Sequence, residues 1–371
     1  MQATVRNESM PKNWEGSCSS TEPCLHQLSP YIGRMKSSMA HTLVENYSKP
    51  GDLILDPFVG AGTIALEAIA LQRNVICSDN SPYAQLLTSA KLNAPKTLNL
   101  ALKHAENALR AAMKLKANTR NNPNWVKSFF HPRTLREIIA LTQVLIQDDD
   151  EFTLACLLGI LHHQRPGFLS YPASHLVPYL RTKKFPRNEY PDLYAYREIR
   201  PRLIAKIERS YRRFPDFSNK GKARIHRGDA SELKIGSGTI DAVITSPPYM
   251  NALDYARDNR LRLWFLGLKQ ADLLDQKIRR KEQFFELMII FLQNAKRWLK
   301  PKGKCVLVIG DVNKSNSRIN LGQIITEIAV REVGGFKLQD TIMDMVPDVR
   351  RARRNGRSTK EEWVIVLNRK D

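Results

Sequence analysis

The stretch LILDPFVGAGTIALEAIALQRNVICSDNS, Leu53 to Ser81, restricts the fold more than any other. A short apolar run, a small-residue turn, an apolar-periodic helix and a second apolar run ending in polar residues make a βαβ unit. Its two strands must be parallel, and a parallel sheet needs helices over both faces. The rest of the chain has to supply them. ARIHRGDA, IDAVITSPPY, KCVLVIGDV, FKLQDTIMDMV and EEWVIVLNR read as further strands, and helical patterns such as QFFELMIIFLQNAKRWLK separate several of them. The expectation is an α/β protein with one mostly parallel sheet. No helical pattern intervenes between FKLQDTIMDMV and EEWVIVLNR, which predicts an antiparallel edge hairpin.

Before the βαβ unit, SPYIGRMKSSMAHTLVENYSKPGD spaces Met35, Met39, Leu43, Val44 and Tyr47 as one helix face, closed by a Pro-Gly turn. Residues 1–25 are polar and aperiodic, and predict a mobile leader. Residues 26–95 form the first part of the core, and 221–371 the second. Between them, residues 96–220 read as a helical insertion. Its part from Arg181 to Arg213 holds eleven Lys and Arg against four Asp and Glu, with Phe185, Tyr190, Tyr194, Tyr196 and Tyr211 interleaved. Cations suit phosphates and rings suit bases, so Arg181, Lys183, Lys184 and Arg187 are candidate nucleic-acid contacts; the bland reading is a solvated helical face over packed tyrosines. Charge points the same way: 58 Lys and Arg against 37 Asp and Glu leave a net +21, which favours a polyanionic partner. VRRARRNGRSTK, Val349 to Lys360, adds six cations without an acid, making Arg351, Arg353, Arg354 and Arg357 further candidates for phosphate contact. The chain lacks an uninterrupted apolar run of about 18 residues, so a spanning helix is not expected. Five scattered cysteines and no secretory leader predict a reduced, cytoplasmic setting. Cys18, Cys24 and His26 lack a second pair to complete a zinc site, and His162, His163 and His175 are expected to pack; no metal is predicted.

Chemistry concentrates at two places. In LDPFVGAGT, Gly60 and Gly62 let the backbone turn and approach a ligand, ahead of the helix that starts at Thr63. Asp56, Asp79 and Asp229 each end a predicted strand, where ligands sit in open α/β sheets. GxGxxG is absent, so the triplet suits a nucleoside carrying an amino acid better than a dinucleotide: Asp56 toward an ammonium, Asp79 toward ribose hydroxyls, Asp229 toward an adenine amino group. The competing roles are a helix cap for Asp79 and a turn for Asp229. The second place is TSPPY. Two prolines supply carbonyls without N–H groups on a stiff backbone, Ser246 adds a hydroxyl and Tyr249 a planar face, a set that can grip an exocyclic amino group.

DPFVGAGT followed by TSPPY resembles the S-adenosylmethionine-dependent amino-methyltransferases of DNA, of the Ser-Pro-Pro-Tyr type that methylates cytosine at N4. The resemblance spans roughly Pro30 to Ala94 and Arg224 to Arg369. It implies a Rossmann-like class I methyltransferase fold with a seven-stranded, mostly parallel sheet, and S-adenosylmethionine as cofactor. It places Phe58, Asp79 and Asn80 along the cofactor with Ala230 beside Asp229, the element Ser29 to Lys36 near its methionine part, and Ser246, Pro247, Pro248 and Tyr249 around the target base. It makes the insertion a target-recognition region, with DNA as partner beside cognate restriction or defence proteins. LDPFVGAGTIALEA also resembles RNA guanine-N2 methyltransferases, which carry Asp-Pro-Pro-Tyr and an N-terminal RNA-binding module; Ser246 and the short N-terminus differ from these. Adenine N6 and a catalytically silent nucleic-acid-binding subunit are the remaining alternatives. Asp254 reads either as proton acceptor or as cap of the helix that follows.

Overall fold

The strand LILD is buried from Ile54 to Asp56 because it lies in the middle of a sheet covered on both sides. In the computed structural model, which describes residues 22–175, 177–250, 254–268, 280–314, 317–345 and 361–371, the first part of the chain runs α1 (Ser37–Tyr47), β1 (Leu53–Asp56), α2 (Thr63–Ala70), β2 (Asn74–Asp79) and α3 (Pro82–Leu92). A helical stretch follows: α4 (Leu98–Met113), α5 (Asn124–Lys127), α6 (Pro132–Gln147), α7 (Glu151–Gly159) and α8 (Ile199–Ser210). The sheet resumes with β3 (Ala223–Arg227) and β4 (Ile240–Thr245), then α9 (Tyr255–Phe265), α10 (Lys281–Trp298) and β5 (Leu299–Gly310). A small hairpin of β6 (Val312–Lys314) and β7 (Ser317–Ile319), then α11 (Leu321–Glu327), β8 (Phe336–Met345) and β9 (Glu361–Arg369), complete it.

Seven strands pair in the order β3-β2-β1-β4-β5-β9-β8. The first five are parallel, and β9 is antiparallel to both β5 and β8, so the expected edge hairpin is present. From β1 the chain winds outward through β2 to β3, then returns to lay β4 on the other side of β1, with Ile54 opposite Ala242 and Leu55 opposite Val243. This reversal opens a crevice at the carboxyl ends of β1 and β4, the place where open α/β sheets bind ligands. The site is therefore set by topology before any side chain is considered. The edge strand β3 is largely exposed and carries Arg224 and Arg227, charges that discourage edge pairing.

One face of the sheet is covered by α10 and α11, with Phe284, Met288, Leu292 and Trp298 fully buried. The other is covered by α1, α2 and α3, and the helical stretch packs onto these to continue a single core. Every residue of α7 after Glu151 is buried, and Asp150 caps it by accepting from the Thr153 amide at 3.0 Å. Burying Leu154, Leu157 and Leu158 contributes about 1.5–3 kcal/mol each, and the cap about 1 kcal/mol. Burial, more than helix propensity, holds these helices in place.

The expected leader ends sooner than residue 25. Residues 1–21 lie outside the described residues, but Cys24–Gln27 forms a 3-10 turn in which Cys24, Leu25 and His26 are buried. His26 meets Glu67 of α2 at 2.6 Å, and Glu67 meets His41 of α1 at 2.9 Å. Burial pushes the Glu67 carboxyl up, but the two histidine bonds outweigh it and hold it at about 2. No helix among the described residues is long and apolar enough to cross a membrane.

Candidate active site

The glycine turn after β1 is shaped by contacts on both sides. Gly62 has φ 71°, and a Cβ there would lie 2.8 Å from the Thr88 hydroxyl and 3.0 Å from its Cα, so only glycine allows α2 and α3 to approach this closely. The Val59 amide bonds the Ser78 carbonyl at 2.9 Å and the Gly60 amide bonds Asp79 at 2.9 Å, fastening the turn to the end of β2. From below, the Nζ of the fully buried Lys91 donates to the Ala61 carbonyl.

Asp56 is 1% exposed and accepts from the Thr245 hydroxyl at 2.7 Å. Burial pushes its carboxyl up to about 7, against the Thr245 and Phe58 hydrogen bonds that draw it down; nearby Asp79 raises it further. Asp79 accepts from the amides of Ser81 (2.9 Å) and Gly60, and burial nonetheless lifts it to about 6. Asp229 accepts from the amide and hydroxyl of Ser231, at 2.9 and 2.6 Å. The turn role weighed for Asp229 is thus present, whereas Asp79 turns the chain at Ser81 and leaves the cap position of α3 to Ser81; both aspartates also line the cleft.

The cleft holds about 1020 Å³ of free space, its open mouth included, and is lined by Asp56, Phe58, Gly60, Thr63, Asp79, Asn80, Asp229 and Ala230. Of the residues expected at the cofactor, Gly62 alone is not in this lining; it acts through packing. Ser246 and Pro248 also line it, so the glycine turn and the Ser-Pro-Pro-Tyr loop share one cavity. Tyr31, Gly33, Arg34 and Met35 come in from the element before α1. That element is anchored by the Tyr83 phenol on the Pro30 carbonyl at 2.8 Å and by Lys36 on Asp344 at 3.0 Å.

Within the loop, Ser246 donates to the Val308 carbonyl of β5 at 3.1 Å, which leaves oxygen lone pairs for a ligand. Pro247 and Tyr249 are buried behind the loop and are not among the lining residues. The Tyr249 phenol donates to Glu362 of β9 at 2.8 Å; burial and the neighbouring carboxylate push it well above the usual phenol range, so it stays a donor. The planar face expected of Tyr249 is presented to the cavity by Tyr255 instead, whose ring lies 6.3 Å from that of Tyr31. Sequence reasoning had no role for Tyr255 or for Leu287 of α10. Tyr255 follows a capping aspartate, a weak signal; Leu287 is one apolar residue among many in its helix.

Other candidates resolve into packing. Asp254 caps α9 by accepting from the Arg257 amide at 3.0 Å. His162 meets the Ser174 carbonyl at 2.8 Å and His163 stacks on Phe168. Tyr194, Tyr196 and Tyr211 donate to the Phe185 carbonyl, Glu137 and the Pro95 carbonyl at 2.5, 2.6 and 2.6 Å, so the row of rings in the insertion is largely tied down. Lys183, Lys184 and Arg187 are exposed, while Arg181 is half-buried beside Gln164. Arg351, Arg353, Arg354 and Arg357 lie outside the described residues, as does Cys18.

A doubly wound sheet that brings three strand-end acids and a proline-paired loop into one cleft defines an α/β ligand-binding architecture. Residues 15–89 and 240–371, more than half of the chain, match the DNA methylase family of N6 and N4 type, and the chain belongs to that family. Over 271 residues it is 23% identical to the Type II methyltransferase M.BsoBI of Geobacillus stearothermophilus, covering 66% of this chain and 53% of that protein. It is 31% identical over 68 residues to the Type II methyltransferase M.MjaII of Methanocaldococcus jannaschii, covering 18% of this chain and 13% of that one. The chain thus spans about half the length of M.BsoBI or less of these relatives. Among solved structures, a SAM-dependent methyltransferase from Methanosarcina mazei aligns over 88% of this chain and 97% of its own at 10% identity and a TM-score of 0.35. An rRNA methyltransferase from Streptomyces viridochromogenes aligns over 96% of both at 10% identity and a TM-score of 0.34.

The cofactor is S-adenosylmethionine, and the residues present fit it. Asp56 is a carboxylate that burial pushes up to about 7, and a bound ammonium would favour its charged form. The Thr63 hydroxyl lines the cleft, buried and without a protein partner. Asp79 is preset by two amides with lone pairs to spare, and Asp229 and Ala230 line the same cleft.

Proposed function

We propose that this chain is a DNA methyltransferase that moves a methyl group from S-adenosylmethionine to the N4 amino group of cytosine, with the target base turned out of its stack into the cleft. The observation that carries the reading is that Ser246 and Pro248 line the same cavity as Asp56, Asp79 and Asp229. Ser at the head of the loop, where RNA guanine-N2 enzymes carry Asp, favours the cytosine-N4 type.

When bound, S-adenosylmethionine supplies a methyl group on a positively charged sulfur. The chain's residues do the rest by binding and aiming. Asp56 neutralises the ammonium, Asp79 holds the ribose, and Asp229 the adenine edge. The cytosine amino nitrogen is a weak nucleophile because its lone pair is delocalised into the ring. The Ser246 oxygen, which lines the cavity, accepts one of its hydrogens, favours a more tetrahedral nitrogen and directs the lone pair into the cleft. Tyr249 supports the loop from behind through Glu362. Positioning and fixed dipoles supply the acceleration, and the surplus proton leaves to water.

Tritiated methyl transfer to duplex DNA, single-stranded DNA and RNA, followed by nucleoside analysis, tests this. N4-methylcytosine in DNA is the expected product. N6-methyladenine, or N2-methylguanosine in RNA, would replace the base assignment, and absence of incorporation with retained DNA binding would overturn the enzyme reading.

A further inference from the structure

Between Glu106 and Glu137 the chain carries seven Lys and Arg, and between Glu151 and Glu189 five more, without one Asp or Glu in either stretch. A surface kept soluble by charge carries both signs interspersed, so two acid-free stretches in one helical region are a directional feature. The fold joins them. The Tyr171 amide of the second bonds the Phe129 carbonyl of the first at 2.7 Å. Arg260 of α9 bridges them a second time: its guanidinium lies 5.3 Å from the centre of the Trp125 ring and donates to the Pro178 carbonyl at 2.8 Å.

At this junction two large rings remain open to solvent, Trp125 at 37% and Tyr179 at 51% exposure. Cations flank both, half-buried at Lys127 and exposed at Lys183 and Lys184. Lys127 donates to the Arg120 carbonyl at 2.6 Å beside Trp125, and Lys183 and Lys184 follow Tyr179. The arginine over Trp125 restrains the ring in its exposed position, so little side-chain entropy remains to be lost when something stacks on it. The junction also borders the cleft. Arg260 stands five residues along α9 from Tyr255, which lines the cavity, and five helical residues advance about 7.5 Å.

We propose that Trp125, Tyr179 and the cations around them form the face on which DNA lies while one of its bases occupies the cleft. The cations meet phosphates, and the two rings stack on bases or sugars beside the displaced nucleotide. The proposal rests on the methyltransferase reading above and names the surface that presents the polymer to that site. The phosphate charge of the polymer complements the twelve cations of these two acid-free stretches.

Binding of a fluorescent DNA duplex of mixed sequence to the full chain, measured over a series of salt concentrations, tests it. Joint replacement Trp125→Ala and Tyr179→Ala is expected to weaken binding about tenfold with the salt slope kept, as loss of stacking does. Joint replacement Lys127→Gln and Lys183→Gln is expected to make the slope shallower by about 1.8, since each lost phosphate contact removes about 0.9. All four side chains are exposed or partly so, and unchanged thermal midpoints establish that the variants fold. Unchanged affinity and slope in both pairs overturn the proposal, as does wild-type protein that binds RNA but not DNA, or neither. If the wild type methylates DNA and both variant pairs bind and methylate as well as it does, this face falls while the methyltransferase reading stands. If the variants lose DNA binding although the wild type transfers no methyl group, the face stands and the enzyme reading falls.

Discussion

The Thr245 hydroxyl donates to the Asp56 carboxylate at 2.7 Å, joining the last residue of β4 to the last residue of β1 across 189 positions of sequence. One bond therefore ties the strand that leads into the glycine turn to the strand that leads into the Ser-Pro-Pro-Tyr loop. Both residues are essentially inaccessible, so water does not replace the bond when it is lost.

Thr245→Val keeps the shape and removes the donor. A buried acceptor left with one partner fewer costs about 1–3 kcal/mol, and the Asp56 carboxyl should rise further above about 7. Denaturant unfolding should show the loss of stability, and calorimetry at neutral pH weaker cofactor binding. Equal stability and equal affinity would remove Asp56–Thr245 as the link between the two loops.

Cofactor affinity should depend on pH with a defined sign. The Asp56 carboxyl titrates at about 7 in the folded protein against an ordinary value of 3.8, so it is largely neutral at pH 6 and charged at pH 8. An ammonium binds the charged form, so affinity should rise through this window, by about tenfold per pH unit well below the folded value, and then level off. Folding stability runs the other way. The folded state holds this proton more tightly than the unfolded chain, so the contribution is most favourable in acid and declines as pH climbs from about 4 toward 7. Asp79, at about 6, adds a lower inflection. Titrating Asp56→Asn alongside separates them, because the step near 7 should vanish and the one near 6 remain; identical profiles would contradict the assignment.

Tyr249 and Glu362 should behave as one unit. Tyr249→Phe and Glu362→Ala each break the 2.8 Å bond behind the loop, and each should lower turnover about tenfold with little change in cofactor affinity. The double variant should be no worse than either single one, and Glu362→Gln, which keeps an acceptor, should be the mildest. Additive losses in the cycle would mean that the two residues act separately.

Gly62→Ala should destabilise the protein by about 1–3 kcal/mol, because φ 71° is strained for alanine and the new methyl meets Thr88 at 2.8 Å. Thr88→Ala should rescue only part of this, since the Thr88 Cα also stands within 3.0 Å. Urea midpoints of the two single variants and the pair check it; full rescue would shift the cause from the backbone to the hydroxyl alone.

Much of the site was legible because its residues cluster in short runs. Asp56, Phe58, Gly60 and Thr63 belong to one turn, and Ser246 and Pro248 to another, so motif reading reached them directly. The strand-end aspartates were legible for a different reason: an acid closing an apolar run stands out against its neighbours. Tyr255, Leu287 and the Glu362 partner of Tyr249 were not legible, since nothing local distinguishes them from ordinary helix and strand residues. The interleaved tyrosines of the insertion misled in the opposite sense. Their phenols are tied to Glu137 and to backbone carbonyls, contacts that neither spacing nor composition encodes.

Hydrophobic period, the small-residue turn and the strand-end acids are local properties, and by themselves they determined the βαβ start, the parallel sheet and the antiparallel hairpin. What only the tertiary structure decided is who faces whom: that β4 returns to lie against β1, that Tyr249 turns inward to Glu362, and that Arg260 gathers Trp125 and Pro178 beside the cleft. Pairings between residues far apart in the chain follow from which surfaces must be buried together, and that depends on the whole set of elements at once.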